Sequence, residues 1–296
     1  MSKPSIALVT AVAARDLDED MPSLESALRD AGADVTIAEW DRPRDWSRFD
    51  VAVLRSPWDY PQRYAEFLGW AEAVSRETKL HNPLPVVKWN SDKHYLADLA
   101  AKQVPTVQTM FIEPGQQPDR RIAELLSQPA AEEFVVKPAV GGGSIDAQRF
   151  GRDETGDAAR HAQRMLNEQR SVLLQPYLDK VDEHGETALM YFEGEFSHAI
   201  RKGPMLKRKV GAATGLFAKE AVRARVPDAA ELQLGSEALA AIPFETPLYA
   251  RVDLIRDQQG APVILELELL EPSLFFPYAD GSADKFAAVV IRRAKR

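Results

Sequence analysis

The first 80 residues alternate short apolar runs with stretches of helical periodicity. Three apolar runs have the length of a strand, at residues 6–9, 35–38 and 51–54. The segments that follow residues 20 and 61 place apolar side chains three and four positions apart, as amphipathic helices do. Short buried strands that alternate with helices are typical of a parallel sheet covered on both faces. The sequence therefore predicts a parallel α/β domain at residues 1–85.

The architecture of this domain is Rossmann-like, but its first strand lacks the glycine pattern of a dinucleotide site. The strand is followed by TAVAARD and not by G-x-G-x-x-G, the pattern whose backbone approaches a pyrophosphate. Dinucleotide binding is therefore disfavoured. From about residue 105 the pattern changes to β-rich segments with longer loops, so an α+β part is expected to follow the α/β domain.

Composition excludes several classes of function. The chain has 296 residues, about two domains at roughly 150 residues each. It contains no cysteine, which excludes disulfides, thiolate metal sites and cysteine nucleophiles. The net charge of −8 argues against nucleic acid as a partner. No apolar run is long enough for a signal peptide or a membrane span, so we expect a cytoplasmic protein without a membrane partner.

A lysine and a run of glycines follow one predicted strand. Lys137 ends the strand FVVKP, and residues 141–144 (GGGS) come soon after it. Glycines let backbone N–H groups approach an anion, and a neighbouring ammonium adds the charge that a polyphosphate needs. Lys93, one turn into a helix, is a second candidate. The alternatives are a flexible loop and solvated surface lysines.

Three carboxylates are expected on two strands near the C-terminus. Asp253 lies in YARVDLI, and Glu266 and Glu268 lie in ILELELLEP, where positions two apart share a face of a strand. If the two strands pair as a hairpin, Asp253 lies within reach of both glutamates. Oxygen ligands of this kind select Mg²⁺ or Mn²⁺. The alternative, a strand with its glutamates in water, is disfavoured by the apolar residues around them.

The order of these motifs resembles the ATP-grasp superfamily of carboxylate–amine ligases. Lys93, Lys137 with its glycine loop, the QPYL segment, R-x-D and E-x-E occur between about residues 85 and 275. The resemblance implies an ATP-grasp fold with a pre-ATP-grasp domain (1–85), a central subdomain that forms a lid (86–178) and a C-terminal subdomain with the metal site (179–296). It implies ATP and Mg²⁺ as cofactors, with Mn²⁺ as an alternative ion.

The same resemblance implies a role for each motif residue. Lys93 and Lys137 hold the ATP phosphates under the glycine loop, QPYL reads adenine, and Asp182 or its neighbour Glu183 binds ribose. The implied ATP-binding residues are Lys93, Lys137, Gly142, Gly143, Ser144, Gln175, Pro176, Tyr177, Leu178 and Asp182. Asp253, Glu266 and Glu268 are the implied metal ligands, and Arg251 steadies the transferring phosphoryl group. Glu268 departs from the family, which usually has asparagine there.

Further motifs resemble the cyclo-ligases of cycloserine biosynthesis. They are RSPWDY (55–60), HNP (81–83), the N-x-x-K-x-Y-L run from Asn90 and the ending ELELLEPSLFF. The resemblance implies ATP-dependent activation of the carboxylate of O-ureido-D-serine and ring closure to D-cycloserine. Arg55 and Asp59 follow a strand and are candidates for a substrate carboxylate and amino group, with Glu271 and Ser273 as further substrate-side candidates. The alternative is a packed turn in which Arg55 and Asp59 form a local ion pair.

A basic loop completes the set of candidates. It contains Arg201, Lys202, Lys207, Arg208 and Lys209, without interleaved aromatic residues. Nucleic-acid binding is disfavoured, which leaves a solvated loop or a lid in which Lys202 contacts ATP or the acyl phosphate. Two other functions stay open, a ligase that joins two separate amino acids or peptides and an ATP-binding module without catalysis. We expect a small amino-acid-like carboxylate substrate and a monomer or homodimer.

Overall fold

The computed structural model describes residues 3–128, 132–206, 208 and 221–295. Lys207 and Lys209 of the predicted basic loop lie outside the described residues. The described strands form three β-sheets, and helices pack around them. Among the helices in these ranges, none combines the length and the apolar character that crossing a membrane requires.

The N-terminal sheet is parallel, as the alternating pattern predicts. Its elements in chain order are β1 (Ser5–Thr10), α1 (Met21–Asp30), β2 (Asp34–Glu39), β3 (Val51–Ser56), α2 (Tyr64–Glu77) and β4 (Lys79–His81). The strand order is β2-β1-β3-β4, and every neighbouring pair is parallel. β3 is buried along its whole length because helices and loops cover both faces of the sheet. The predicted α/β architecture is confirmed.

The second sheet is antiparallel. The elements that lead to it and build it are α3 (Leu84–Asn90), α4 (Tyr95–Ala101), β5 (Met110–Ile112), α5 (Pro118–Leu126), β6 (Glu133–Pro138), β7 (Gln148–Gly151), α6 (Thr155–Asn167) and β8 (Val172–Pro176). Its strand order is β5-β8-β6-β7. The apolar stripe of α6 packs against this sheet in one core. The sheet carries Lys137 near the end of β6 and Gln175 near the end of β8.

The third sheet is also antiparallel and carries the acidic strands. Its elements are α7 (Lys180–His184), β9 (Glu186–Phe192), β10 (Glu195–Lys202), β11 (Val222–Arg225), α8 (Ala229–Ala240), β12 (Tyr249–Arg256), β13 (Pro262–Glu268) and α9 (Ser282–Ala294). Its strand order is β11-β10-β9-β12-β13. A tight reversal at Glu193 and Gly194 joins β9 to β10, and both residues have positive φ angles. Lys202 is the last residue of β10.

Two helices pack against parts of the fold that are distant from them in sequence. α4 precedes the second sheet, but its Leu96 shares an apolar core with Leu189 of the third sheet. α9 ends the described chain and packs on the N-terminal domain, where Phe286 shares a core with Leu24 of α1. The predicted limits at residues 85 and 178 therefore fall between the three sheets, whereas the apolar cores include residues from both sides of these limits. These domain limits remain a prediction.

Candidate active site

A cavity of about 380 Å³ is bounded by residues from all three sheets and their loops. Most residues that the sequence predicts for the site line it together. These are Lys93, Lys137, Gly142, Gly143, Ser144, Gln175, Pro176, Tyr177, Leu178, Lys202, Arg251, Asp253, Glu266, Glu268, Glu271 and Ser273. Arg55, Asp59 and Asp182 are the predicted site residues that do not line it. The site therefore gathers residues that are distant in sequence into one space.

The acidic strands pair as the sequence predicts. β12 and β13 are antiparallel, and Asp253 lies directly opposite Glu266 while Arg251 lies opposite Glu268. A bulge between Asp253 and Leu254 shifts the register of the hairpin just beyond this pair. Bulges re-aim side chains next to functional sites. The three predicted metal ligands thus reach the same part of the cavity.

Basic side chains neutralise these carboxylates. The Lys202 ammonium donates to Oδ2 of Asp253 at 2.7 Å and lies 2.9 Å from Oε2 of Glu186. The Arg251 guanidinium donates to both oxygens of Asp253, at 2.8 and 3.0 Å, and also to Glu268. Lys202 and Arg251 are both almost fully buried. Lys202 therefore belongs to the acidic centre, and its predicted contact with ATP or the acyl phosphate remains a prediction.

This arrangement differs in one respect from the expected metal site. In the described ranges, no three Asp, Glu, His or Cys side chains are grouped as ligands around one point. Each predicted ligand instead has an oxygen within hydrogen-bond distance of a lysine or arginine. Burial opposes ionisation of Glu266, but the Lys137 and Lys93 ammonium groups hold its pKa well below the usual range. These ion pairs balance part of the negative charge that the sequence analysis expects a bound cation to balance alone.

The donor chemistry nevertheless fits a hard divalent cation. All three predicted ligands supply carboxylate oxygens, which are the donors that such a cation prefers. Burial raises the pKa of Glu268 to about 7, and the nearby charges of Asp253 and Glu266 act in the same direction, with Arg251 opposing them. The carboxylates are thus not fully neutralised by the residues around them. A cation such as Mg²⁺ would be held by Asp253, Glu266 and Glu268.

The two predicted phosphate lysines and the glycine loop line the same cavity. Lys93 and Lys137 are each 8% exposed, and both line the cavity. Lys93 donates from Nζ to the carbonyl of Gly141 at 2.5 Å, so it is attached to the loop itself. Gly143 has a φ of 58°, a backbone conformation that favours glycine. This geometry provides two ammonium groups and a flexible backbone in one place.

The predicted adenine segment forms another wall. Gln175 is buried and donates from Nε2 to Oγ1 of Thr109 at 2.9 Å. This bond holds its side chain against the residue that precedes β5. The Tyr177 ring lies under the guanidinium of Arg149, with 3.4 Å between Cζ and the ring centroid. The Tyr177 hydroxyl donates to Asp182 at 2.6 Å. Asp182 is thus next to the wall but not in it, and its predicted ribose contact remains a prediction.

The cavity is also lined by two residues of the loop that follows β13, Glu271 and Ser273. The backbone carbonyl of Glu271 accepts a hydrogen bond from Nε1 of Trp58 at 3.1 Å, which fixes the loop after β13 to the N-terminal domain. Burial raises the pKa of Glu271 to about 8, and the charge of Glu268 adds to the effect. A Cβ atom at Gly142 would lie 3.6 Å from Oε1 of Glu271, so the glycine loop and this carboxyl are neighbours.

Arg55 and Asp59 take different places from those expected of substrate ligands. Arg55 is fully buried, donates to the carbonyl of Pro272 at 3.2 Å and lies 3.5 Å from Asp20. Asp59 accepts hydrogen bonds from Trp40 at 2.8 Å and from Arg63 at 3.2 Å. Both side chains are used in packing the N-terminal domain. The alternative reading of a packed turn describes them better, although their ion-pair partners are Asp20 and Arg63 and not each other.

Several cavity residues were missed in the sequence. Asp18 and Asp20 come from the polar loop after β1, Tyr60 follows β3, and Glu186 begins β9. One signal was available for the aspartates, because loops at the carboxyl ends of parallel strands form ligand sites in open α/β sheets. Glu186 had no such signal, since its role depends on the approach of Lys202.

Known proteins share this sequence and fold. Residues 6–82 match the family described as D-cycloserine synthetase DcsG, N-terminal domain. The chain is 41% identical over 297 residues to the cycloserine biosynthesis protein DcsG of Streptomyces lavendulae, covering 98% of this chain and 99% of that protein. The crystal structure of D-cycloserine synthetase DcsG matches with a TM-score of 0.92 at 40% identity, over 98% of this chain and 99% of that one.

A more distant structure shows the wider fold. The ATP-grasp ligase PsnB, solved with a phosphomimetic variant of its minimal precursor, Mg and ADP, matches with a TM-score of 0.65 over 100% of both chains. Its identity is 14%, so this match concerns the fold alone. The predicted ATP-grasp fold is confirmed by these structures.

Proposed function

Because the chain belongs to the family of the cycloserine biosynthesis protein DcsG, whose fold is that of ATP-grasp ligases, we propose that it cyclises O-ureido-D-serine to D-cycloserine with ATP. The observation that carries the proposal is the 41% identity across 98% of the chain. The cavity supports it, because lysines suited to a polyphosphate and acidic and aromatic residues suited to a small polar molecule line the same space.

In the first step an oxygen of the substrate carboxylate attacks the γ-phosphorus of ATP. ADP leaves, and an acyl phosphate forms. Lys93 and Lys137 neutralise charge on the phosphates, while Arg251 and Lys202 stand at the acidic centre, where they stabilise the transferring group. No protein nucleophile is required, which agrees with the absence of cysteine.

A bound Mg²⁺ would supply Lewis-acid stabilisation of the phosphate oxygens. Asp253, Glu266 and Glu268 are the residues proposed to hold it. Asparagine is usual at this position in the wider ATP-grasp superfamily, so Glu268 adds a negative charge to the proposed ligand set. Lys137 keeps Glu266 ionised, and Lys202 and Arg251 do the same for Asp253, whose pKa is lowered although burial opposes this.

In the second step the substrate nitrogen that is bonded to oxygen attacks the acyl carbon, and phosphate leaves. This closes the five-membered ring of a 4-amino-3-isoxazolidinone. The product lacks the carbamoyl group of the substrate, so the balance requires one water and releases that group as carbon dioxide and ammonia. The reaction therefore needs one organic substrate, and positioning and electrostatics perform it.

A single assay tests the proposal. The protein is incubated with ATP, Mg²⁺ and O-ureido-D-serine, ADP release is followed, and the product is identified by mass spectrometry. We expect ADP and D-cycloserine in equal amounts. ADP release without D-cycloserine, or no ADP release with this substrate, would contradict the proposal.

The same assay separates the two other functions left open by the sequence. A ligase that joins two molecules would release ADP with amino acids or peptides and yield a linear product. An ATP-binding module without ligase activity would bind ATP but release no ADP with any carboxylate substrate. ADP release with O-ureido-D-serine alone, together with D-cycloserine as the product, excludes both.

A further inference from the structure

Asp18 is a buried carboxylate in the wall of the cavity that no step above uses. Its side chain is 5% exposed, and the residue lines the cavity. Oδ1 accepts the backbone N–H of Asp20 at 3.1 Å. Oδ2 is buried and receives no hydrogen bond of normal geometry from the described residues; the nearby Ser56 hydroxyl donates to Thr10 at 2.8 Å. A buried carboxylate oxygen without a donor is unfavourable, so this atom indicates a ligand that brings a donor with it.

The neighbouring charges point to a cationic donor. Asp20 is saturated, because its two oxygens accept the backbone N–H groups of Leu274, Phe275 and Phe276 at 2.5, 3.0 and 2.7 Å and lie next to Arg55. Within the described part of the chain, Arg55 is the cation that acts on both Asp18 and Asp20. Burial raises the pKa of Asp18 although the charge of Arg55 opposes this, so one guanidinium does not balance the two carboxylates. Arg55 does not line the cavity, whereas Asp18 does. The unbalanced negative charge therefore lies next to the cavity at Asp18.

We propose that Asp18 binds the α-ammonium group of the substrate, which assigns the substrate class as α-amino acids with an unmodified amino group. This inference rests on the proposed function and adds a recognition residue to it. The ammonium donates to Oδ2 of Asp18 and balances the excess charge of the Asp18, Asp20 and Arg55 cluster. Pairing with a carboxylate also keeps the amine protonated, so it does not compete with the ring-closing nitrogen for the acyl phosphate.

The test compares two substrates in three proteins. The substrates are O-ureido-D-serine and its deamino analogue, in which hydrogen replaces the α-ammonium group. The proteins are the natural chain, Asp18→Asn and the control Asp16→Asn, which changes an exposed aspartate of the same loop. A charge-assisted hydrogen bond is worth roughly tenfold to a hundredfold in kcat/KM. We expect Asp18→Asn to lose that factor with O-ureido-D-serine and to stay within about threefold of the natural chain with the analogue.

The two-substrate comparison distinguishes recognition from damage to the fold. An equal loss on both substrates would mean that Asp18 only supports the loop, and no loss on either would mean that it does not contact the ammonium group; each result overturns the inference. Unchanged thermal melting and unchanged binding of a non-hydrolysable ATP analogue show that Asp18→Asn is folded.

If the natural chain releases no ADP with either compound, the proposed function fails, and a binding experiment decides the inference. Thermal shifts are then measured with D-cycloserine and with the same ring lacking its amino group. A larger shift with D-cycloserine that disappears in Asp18→Asn supports ammonium recognition. Equal shifts in the two proteins overturn it.

Discussion

The Lys137 ammonium lies 2.7 Å from Oε1 of Glu266, although the two residues are 129 positions apart. The contact joins β6 of the second sheet to β13 of the third. It therefore connects the strand that precedes the glycine loop with the strand that carries the acidic residues. A phosphate group that binds Lys137 would change the charge that Glu266 experiences, so nucleotide and metal binding are expected to be linked.

Replacing Glu266 should abolish ATP turnover. We expect Glu266→Ala and the isosteric Glu266→Gln to lower substrate-dependent ADP release at least about a hundredfold, because each removes a proposed metal ligand and the partner of Lys137. The measurement is steady-state ADP release with saturating ATP. Glu195→Gln, at an exposed position of the β9–β10 hairpin, serves as the control and should remain active. ADP release near the natural rate in Glu266→Gln would rule out the assigned metal site.

Glu268 should set how much Mg²⁺ the protein needs. Glu268→Asn restores the residue that is usual in the wider family and removes one negative charge from the cavity. We expect the Mg²⁺ concentration for half-maximal ADP release to rise roughly tenfold, since each carboxylate adds to the attraction for a divalent cation. Addition of a chelator should stop turnover in both proteins. An unchanged Mg²⁺ requirement in Glu268→Asn would show that Glu268 does not hold the ion.

The acidic hairpin and the glycine loop could be predicted because their determinants are local. Alternation along β13 and a short turn bring Asp253 opposite Glu266, and both features are visible in a few neighbouring residues. The partners of charged residues could not be predicted in the same way. The sequence predicts that Arg55 binds a substrate carboxylate or pairs with Asp59. It is instead fully buried next to Asp20, because the segment at residues 272–276 folds back onto the N-terminal domain. Such contacts depend on packing between segments about 250 positions apart.

Asp20 should contribute strongly to stability. Asp20→Ala would remove the acceptor of three consecutive backbone N–H groups and the carboxylate that lies 3.5 Å from the buried Arg55 guanidinium. Removing one member of a buried ion pair typically costs about 3–5 kcal/mol. We expect a decrease of that size in the free energy of unfolding, measured by urea titration. Asp16→Ala, at an exposed position of the same loop, should change it little. A loss below about 1 kcal/mol in Asp20→Ala would contradict this account.

Asn82 should fasten the N-terminal domain to the third sheet. Its side chain is buried, donates to the carbonyls of Tyr249 and Leu269 at 3.0 and 2.6 Å, and accepts the N–H of Leu248 at 2.7 Å. Asn82→Ala would lose three hydrogen bonds and leave buried backbone groups unpaired, at a cost of about 3 kcal/mol. Urea titration measures this change, with the exposed Asn167→Ala as the control. Equal stability of the two variants would exclude the fastening role.

His81 should make the protein less stable as the pH falls. Burial lowers the pKa of His81 from 6.5 to about 4, and the charges of Arg293 and Lys79 act in the same direction while Glu193 opposes them. Nε2 of His81 is also buried without a hydrogen-bond partner among the described residues. Because the unfolded chain binds this proton more readily, the contribution of neutral His81 is complete above pH 6.5 and is lost as the pH falls through about 4.

The comparison of two histidine variants isolates this effect from the titration of carboxylates. A shift of this size corresponds to roughly 3 kcal/mol of stability lost across the interval. We expect His81→Gln to remove about that much of the pH dependence of the unfolding free energy, measured by urea titration at several pH values. His184→Gln, at an exposed position, should retain the full dependence of the natural chain. If the two variants lose stability in parallel on acidification, His81 is not the group that responds.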